Sequence, residues 1–405
     1  MIPRLKPHLD YREFAAMLRL GGPAVEAFEQ AFAAKFGASH AVAFPYGRSA
    51  LLAYLKASGL RDREIVMPAY TCSVVAHAVA LSGNRPRFVD IALPDYNMDL
   101  DRLEAALNER TGAVISTHLF GYPLDVNRLQ EIVSAAEARF GTRIAIIQDC
   151  AHSFDARFDG RSVSKAGDVA FYGLNISKMM TSIFGGMLTT DDAAAAQELR
   201  AFRDANFRPA SLAKQLMRPA YLLAAHTAFS RPAYRFVYWL QKSSSLLDRL
   251  TRAYHLDDEI HLPPDHLDLM LPVDASVGLV QLSKYDEIIA RRRHAASMYD
   301  RLLRGRLPWE LPPLIGGSTY SHYIIRVPDR ARVMREMASR GIQLGQLIEY
   351  SIPYLPAYRR CAGDEEFPVS LECSTMTINL PVHASLRDSD IARIAACLVE
   401  VAAQI

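Results

Sequence analysis

Cysteine is sparse in this 405-residue chain, and the five that occur (Cys72, Cys150, Cys361, Cys373, Cys397) are scattered without a CxxC pair. That excludes a disulfide framework and a cysteine zinc site, and it reads as free thiols in a reducing compartment. No metal site is expected. The start, MIPRLKPHLD, has no apolar h-region of a secretory signal. Long apolar runs are also missing. The most apolar stretch, 219–230, places 12 residues between Arg218 and Arg231, against about 20 for a spanning helix. These absences predict a soluble, cytoplasmic protein. Net charge is slight, at +2, so it selects no partner. No basic run exceeds Arg291-Arg292-Arg293, which falls on an amphipathic helical pattern. It reads as a solvated helix face or a subunit contact, not as a nucleic-acid contact. Internal repeats and low-complexity segments are lacking too. Lysine is rare, 8 of 46 basic residues, so each can be weighed individually.

What is present is length, 50% hydrophobic residues and a regular alternation. At about 100–200 residues per domain, two or three domains are expected. Strand-like runs occur at His40–Phe44, Ile65–Pro68, Arg87–Ile91, Ala113–Leu119, Ile144–Gln148, Asp168–Tyr172 and Gly186–Thr189. Helical patterns at Ser49–Ser58, Ser73–Ser82, Leu100–Asn108 and Asp125–Phe140 lie among them. Strands separated by such segments imply an α/β fold with a mainly parallel sheet covered by helices on both faces. Ligands in such folds bind at the carboxyl ends of the strands. Residues 1–275 read as a large domain. It carries a helical excursion at about 205–262, rich in aromatics (Phe207, Tyr221, Phe229, Tyr234, Phe236, Tyr238, Trp239, Tyr254) with Arg and Lys between. That excursion reads as a packed helical segment, or as a hydrophobic substrate lid or interfacial helix with peripheral membrane contact. Residues 276–304 read as one long amphipathic helix. It leads into a smaller α+β domain (276–405) with a strand at 320–327 and helices at 329–340 and 386–403.

Three places could carry chemistry. The strand ending in Asp149-Cys150-Ala151-His152 places an acid past a buried apolar run, which is costly unless the acid is paired. A helix N-cap or a buried salt bridge would explain it alone. Lys178 follows a strand-like run in an apolar neighbourhood and precedes Gly185-Gly186. Lysines are usually solvated tips, but a dry site lowers the amine's pKa and makes it a nucleophile. The turn Pro45-Tyr46-Gly47-Arg48-Ser49-Ala50 joins a strand to a helix N-terminus, a seat for phosphate if it is more than a turn. Together the three ask for a ligand with a phosphate, an aldehyde and a basic ring nitrogen. Pyridoxal 5′-phosphate (PLP) has all three, and an ionised Asp149 would keep its ring nitrogen protonated.

The chain resembles the DegT/DnrJ/StrS family of fold-type-I PLP-dependent enzymes, mostly sugar aminotransferases. The likeness runs through Gly37–Val42, Met67-Pro68-Ala69-Tyr70-Thr71, Phe88-Val89-Asp90, His118–Gly121, Asp149–His152, Gly167-Asp168, Ser177-Lys178, Gly185-Gly186, Gln281-Leu282, Asp286–Arg293, Gly341-Ile342 and Leu380–His383. It implies the fold-type-I architecture and a homodimer with its site at the subunit interface. It also implies transfer of an amino group, usually from glutamate, to a keto sugar or related carbonyl. By resemblance Lys178 forms the covalent link to PLP and moves protons, and Asp149 pairs with the ring nitrogen. His152 stands near the ring's phenolic oxygen, and backbone amides at Arg48 and Ser49, in the turn at Gly47, hold the phosphate. Tyr70, Cys72, Asn175 and Ser177 complete the expected cofactor surroundings. Cys72 replaces the family's ring-stacking aromatic, so a different group is expected over the ring. Gly173 replaces a phosphate-binding serine, with Asn175, Ser177 or Arg48 as candidates to compensate. Leu267–Met270 lacks the polar pair of the family's Asn-Tyr-Arg-Met segment, and Tyr354 replaces a histidine of the substrate loop. These departures leave a more hydrophobic or lipid-linked keto substrate open. Alternatives are a PLP-dependent dehydratase or lyase on a sugar, in which some relatives replace the lysine by histidine, and a degenerate member with a binding or regulatory role.

Overall fold

The computed structural model describes residues 1–18, 24–243 and 259–405. Nine strands of the first 190 residues are β1 (His40–Phe44), β2 (Glu64–Pro68), β3 (Arg85–Val89), β4 (Thr111–Thr117), β5 (Ala145–Asp149), β6 (Arg157–Phe158), β7 (Arg161–Ser162), β8 (Val169–Gly173) and β9 (Gly186–Thr190). Seven of them form one sheet in the order β1-β9-β8-β5-β4-β2-β3. The pairs β3/β2, β2/β4, β4/β5 and β5/β8 are parallel, and β9 is antiparallel to both its neighbours. The mainly parallel α/β fold of the sequence reading is therefore the fold observed, with strand ends within two residues of those expected.

Alternating side chains explain why both faces must be covered. Val42, Phe44, Ile65, Met67, Ala113, Ile115 and Ile147 pack with helices Gly47–Ala57 and Ser73–Leu81 on one side. Ala41, Ala43, Ala170 and Met187, and separately Val66, Val114 and Ile146, feed two clusters on the other. Two-sided burial is the condition that makes parallel strands read as continuous apolar runs. The covering helices start on side-chain caps: Asp99, Asp125 and Asp192 each accept two backbone N–H groups of the first turn. Gly141 ends helix Val126–Phe140 at φ +65, a conformation that favours glycine.

Residues 276–304 are not one helix. Helix Pro272–Ser283 stops, Lys284 turns, and helix Tyr285–Leu303 begins. A buried charge cluster sits at the break: Lys284 is buried and its Nζ lies 2.6 Å from Glu13 and 2.9 Å from Asp10, while Gln281 donates to Glu13 at 2.7 Å. The C-terminal pair Tyr323–Arg326 and Thr377–Leu380 is antiparallel, and helices Arg330–Ser339 and Asp388–Ala402 pack with it. Ile2 belongs to the same apolar cluster, so the chain's start is fastened to its C-terminal part. The excursion at 205–262 carries two described helices, Leu212–Ala228 and Arg231–Ser243, while 207–211 and 259–262 are not helical; Tyr254 lies outside the described residues. Leu212, Leu216, Leu223, Phe236 and Trp239 are exposed on these helices. No helix among the described residues is long and apolar enough to cross a membrane.

The buried His118 at the end of β4 makes a stability prediction. Its Nδ1 accepts from the Leu124 N–H at 3.0 Å and its Nε2 faces Gln148 Oε1 at 2.8 Å, which fixes the neutral Nε2–H form. Burial lowers its pKa to about 4. The unfolded chain therefore binds a proton that the folded chain does not between about pH 6.5 and 4. Stability from this group is complete above that window and falls by about 3 kcal/mol across it. Denaturant unfolding at pH 7 and pH 4 should show a smaller acid loss in His118→Gln than in the wild type.

Candidate active site

The sheet register assembles the site. Thr117 pairs with Asp149, Asp149 with Phe171, Gly173 with Gly186, and Gly186 with Phe44. The carboxyl ends of β4, β5, β8 and β1 thus lie side by side. A cavity of about 230 Å³ opens there, lined by Tyr46, Gly47, Arg48, Thr71, Cys72, Thr117, Leu119, Asp149, His152, Gly173, Asn175 and Lys178 among others. Lys178 and Asp149, predicted from sequence to share a site, line the same space.

Asp149 is buried. Its Oδ1 accepts the Ala151 N–H at 3.0 Å, and the Thr117 hydroxyl donates to its Oδ2 across a long 3.4 Å. Burial pushes its pKa up, because this modest donor set does not replace the lost water. Thr71 Oγ1 stands 3.5 Å from Thr117 Oγ1, extending the polar chain away from the carboxyl. Lys178 remains partly open to the cavity, yet desolvation lowers its pKa; the nearby Cys72 and Asp149 favour the ammonium.

Glycine shapes the other wall. A Cβ on Gly186 would overlap the backbone of Tyr46 and Gly47, and one on Gly47 would come 2.9 Å from the Tyr172 carbonyl oxygen. Only this close backbone approach lets helix Gly47–Ala57 point its start at the cavity. The first intrahelical bonds run from the Ser49 and Ala50 amides to the Tyr46 carbonyl. The preceding amides, at Gly47 and Arg48, belong to the helix's first turn, ahead of its first intrahelical bonds. A Cβ on Gly173 would lie 3.3 Å from Lys178 Cε, which places this glycine directly beside the amine's side chain. The Arg48 guanidinium stacks on the Tyr46 ring at 4.6 Å.

Several expected cofactor contacts fall elsewhere. The Ser49 hydroxyl donates to the His266 carbonyl at 2.6 Å and its amide is used by the helix, so Ser49 is buried structure. Tyr70 is not brought to the cavity. Its hydroxyl bonds Thr377 at 2.9 Å and faces the Ile348 and Cys373 carbonyls, tying β2's end to the C-terminal part. Ser177 and Asn175 bond each other at 2.7 Å, which rigidifies the turn that carries Lys178. Cys72 is exposed at the start of helix Ser73–Leu81, and Val74, Val75 and Leu119 line the same cavity. Leu267 and Leu269 pack on the large core, while Asp268 meets Lys214 at 2.8 Å and Arg208 at 3.2 Å. Tyr354 accepts the Phe367 N–H at 3.2 Å and lines neither this cavity nor its neighbour.

His152 lines the cavity and lies nearly parallel to Phe120, with ring centroids 6.5 Å apart. Phe120 holds that position at φ +59, a left-handed conformation costly for a bulky residue. Beyond His152 and Lys178 a second, smaller cavity adjoins, lined also by Arg4, Arg292 and His322. Sequence reasoning missed these three. Arg292 was read as a solvated or subunit-contact residue, but it is 3% exposed. The signal was available: Ile288, Arg292, Ala295, Ala296 and Tyr299 share one helical period and are all buried.

Comparison with known proteins agrees with this architecture. The model of the DegT/DnrJ/EryC1/StrS aminotransferase family matches residues 13–218 and 269–399. The unmatched interval takes in most of the helical excursion. The chain is 26% identical over 383 residues to the GDP-perosamine synthase of Caulobacter vibrioides, covering 92% of this chain and 89% of that protein. It is 27% identical over 382 residues to the spore coat polysaccharide biosynthesis protein SpsC of Bacillus subtilis, covering 91% and 87%. The structure of Helicobacter pylori PseC, an aminotransferase involved in pseudaminic acid biosynthesis, superposes over 100% of both chains with a TM-score of 0.79 and 19% identity.

The depressed pKa of Lys178 can be read directly. In the protein stripped of small ligands, an amine-acylating reagent should modify Lys178 with a pH midpoint below the ordinary lysine range of about 10.4. Asp149→Asn should lower that midpoint further, since it removes an anion that favours the ammonium. Peptide mapping of Lys178 across pH gives the measurement; an unchanged or raised midpoint in the variant would refute the coupling.

Proposed function

Because the chain belongs to the DegT/DnrJ/EryC1/StrS aminotransferase family, we propose that it moves an amino group from an amino acid, glutamate in the first instance, to a keto sugar, using PLP held between Lys178 and Asp149. The observation that carries this reading is the shared cavity: an amine of lowered pKa and a buried carboxyl face it beside a glycine-built helix start.

The residues fit this cofactor. A buried carboxyl with a raised pKa and few donors gains most from a protonated ring nitrogen, whose positive charge favours the ionised acid. The Gly47 and Arg48 amides, at the positive end of the helix dipole, suit a phosphate. The His152 Nδ1 is buried without a protein partner, a hydrogen-bonding position left for a ligand oxygen. When bound, PLP supplies an aldehyde carbon and a ring that withdraws electrons from the substrate carbon.

The chain's own residues then do the following. Asp149, fixed by the Ala151 N–H and the Thr117 hydroxyl, holds charge opposite the ring nitrogen. Lys178 Nζ would carry the proton of the donor's α-carbon to the carbon that bears the cofactor's aldehyde, and in the second half-reaction would carry one from there to the acceptor's carbon, a task suited to an amine whose pKa desolvation lowers. Leu119, Val74 and Val75 give the cavity an apolar wall, which would limit water at the reacting carbons. The names of the relatives, a GDP-perosamine synthase among them, support a sugar nucleotide as acceptor. The family likeness also supports a homodimer working in the cytoplasm.

Incubation with glutamate and nucleotide keto sugars should release 2-oxoglutarate, with parallel-line ping-pong kinetics. Lys178→Ala should lower turnover by about 10²-fold or more, the scale of general acid–base catalysis. Turnover retained in that variant would remove the assignment.

A further inference from the structure

Helix Leu212–Ala228 is turned the opposite way from an ordinary surface helix. Its cations face the body of the protein. Lys214 Nζ lies 2.6 Å from Asp265 and 2.8 Å from Asp268. Arg218 Nε lies 3.4 Å from the buried Asp274, and its guanidinium sits 4.0 Å from the Phe184 ring centroid. Leu222, one turn on, is buried, and His226 meets Phe14 edge to face. The opposite face is left to Leu212, Leu216, Met217, Ala220, Leu223 and Ala224, all exposed, with Leu216 78% exposed. The ion pairs hold the helix in this rotation, so its apolar face stays outward.

Helix Arg231–Ser243 adds to that surface. Tyr234 is buried, its ring stacked with Phe229 and its hydroxyl bonded to Gln343, while Arg235, Phe236 and Trp239 are exposed. The Phe236 and Trp239 rings stack with centroids 5.8 Å apart. Charge in the excursion has one sign: between Asp204 and Asp248 the sequence holds six Arg and Lys and no Asp or Glu.

Exposed apolar surface that is contiguous marks a contact. Its charge and aromatics say with what. Leucine, phenylalanine and tryptophan together with basic residues, and no acid among them, are the composition of helices that lie at the boundary of lipid headgroups and acyl chains. A second copy of this chain matches less well. In a two-fold contact the same patch meets itself, and this patch offers Arg235 no carboxylate, because Asp265, Asp268 and Asp274 are spent on Lys214 and Arg218.

We propose that these two helices dock the enzyme on the surface of an anionic phospholipid bilayer. Leu212, Leu216 and Met217 enter the acyl boundary, Phe236 and Trp239 lie at headgroup level, and Arg235 meets lipid phosphates. The contact is peripheral, since no described helix is long and apolar enough to cross a membrane. The surface adjoins the active site: the Phe184 ring lies 5.1 Å from Tyr221 on the first helix and 6.2 Å from Tyr46 in the wall of the larger cavity. A docked enzyme therefore holds that cavity close to the lipid.

The test is co-sedimentation of the cofactor-loaded full chain with vesicles of phosphatidylcholine alone, or of phosphatidylcholine and phosphatidylserine in equal parts. The protein should bind the mixed vesicles in preference to the neutral ones, and binding should fall as salt rises. Leu216→Glu should weaken binding about tenfold to a hundredfold, the scale for one leucine side chain kept in water. Arg235→Gln should weaken it roughly fivefold, the effect of one basic residue at an anionic surface. Both side chains are exposed, so melting temperatures should stay at the wild-type value. Trp239 gives an independent reading: its fluorescence should move to shorter wavelength on mixed vesicles, and Trp239→Phe should bind yet lose that shift. Absence of binding to the mixed vesicles, or equal binding by wild type, Leu216→Glu and Arg235→Gln, would overturn the proposal. So would a wild-type dimer that Leu216→Glu splits while lipid binding is absent, because the face would then belong to a second copy.

Discussion

The structure depends on one electrostatic constraint: a carboxyl and an amine are withdrawn from water into the same cavity without being allowed to neutralise each other's surroundings fully. Asp149 is pushed towards its neutral form and Lys178 towards its neutral form. Neither state is what a simple buried ion pair would give. A ligand with a cationic ring nitrogen for the acid and a carbonyl for the amine relieves both, which is why the arrangement reads as a site rather than as scaffold.

The rest of the fold serves that placement. Parallel strands β4, β5 and β8 bring their carboxyl ends into register, so that Thr117, Asp149 and Gly173 arrive together. Glycines at 47 and 186 let the backbones of two segments approach closely enough to aim a helix start at the cavity. The mutual bond of Asn175 and Ser177 stiffens the turn that delivers Lys178. Behind it, Tyr70 ties the sheet to helix Pro368–Met376. Charge is distributed unevenly across the cleft: Asp149 and Arg48 line the first cavity, and Arg4 and Arg292 the second.

The sheet was legible because period-two apolar runs and β-branched residues carry a strong signal, and the Asp149–Lys178 pair was legible because each is an ionisable residue just past such a run. The roles of Ser49 and Tyr70 were not. A motif gives the residue type, but only three-dimensional packing shows that the Ser49 hydroxyl is spent on the His266 carbonyl and the Tyr70 hydroxyl on Thr377. The break at Lys284 was hidden for a similar reason. The helical period continues through it, and the carboxylates that Lys284 meets there, Asp10 and Glu13, lie about 270 positions earlier in the chain. Arg292 was obscured by its neighbours: between Arg291 and Arg293 it reads as one of a solvated triplet, although its helical phase places it inside.

The most direct measurement of the central claim is chemical trapping. The protein is incubated with PLP, reduced with borohydride and digested, and the modified lysine is identified by mass spectrometry among the eight present. The account predicts one pyridoxyl group, on Lys178. Label spread over surface lysines, or none at Lys178, would contradict it.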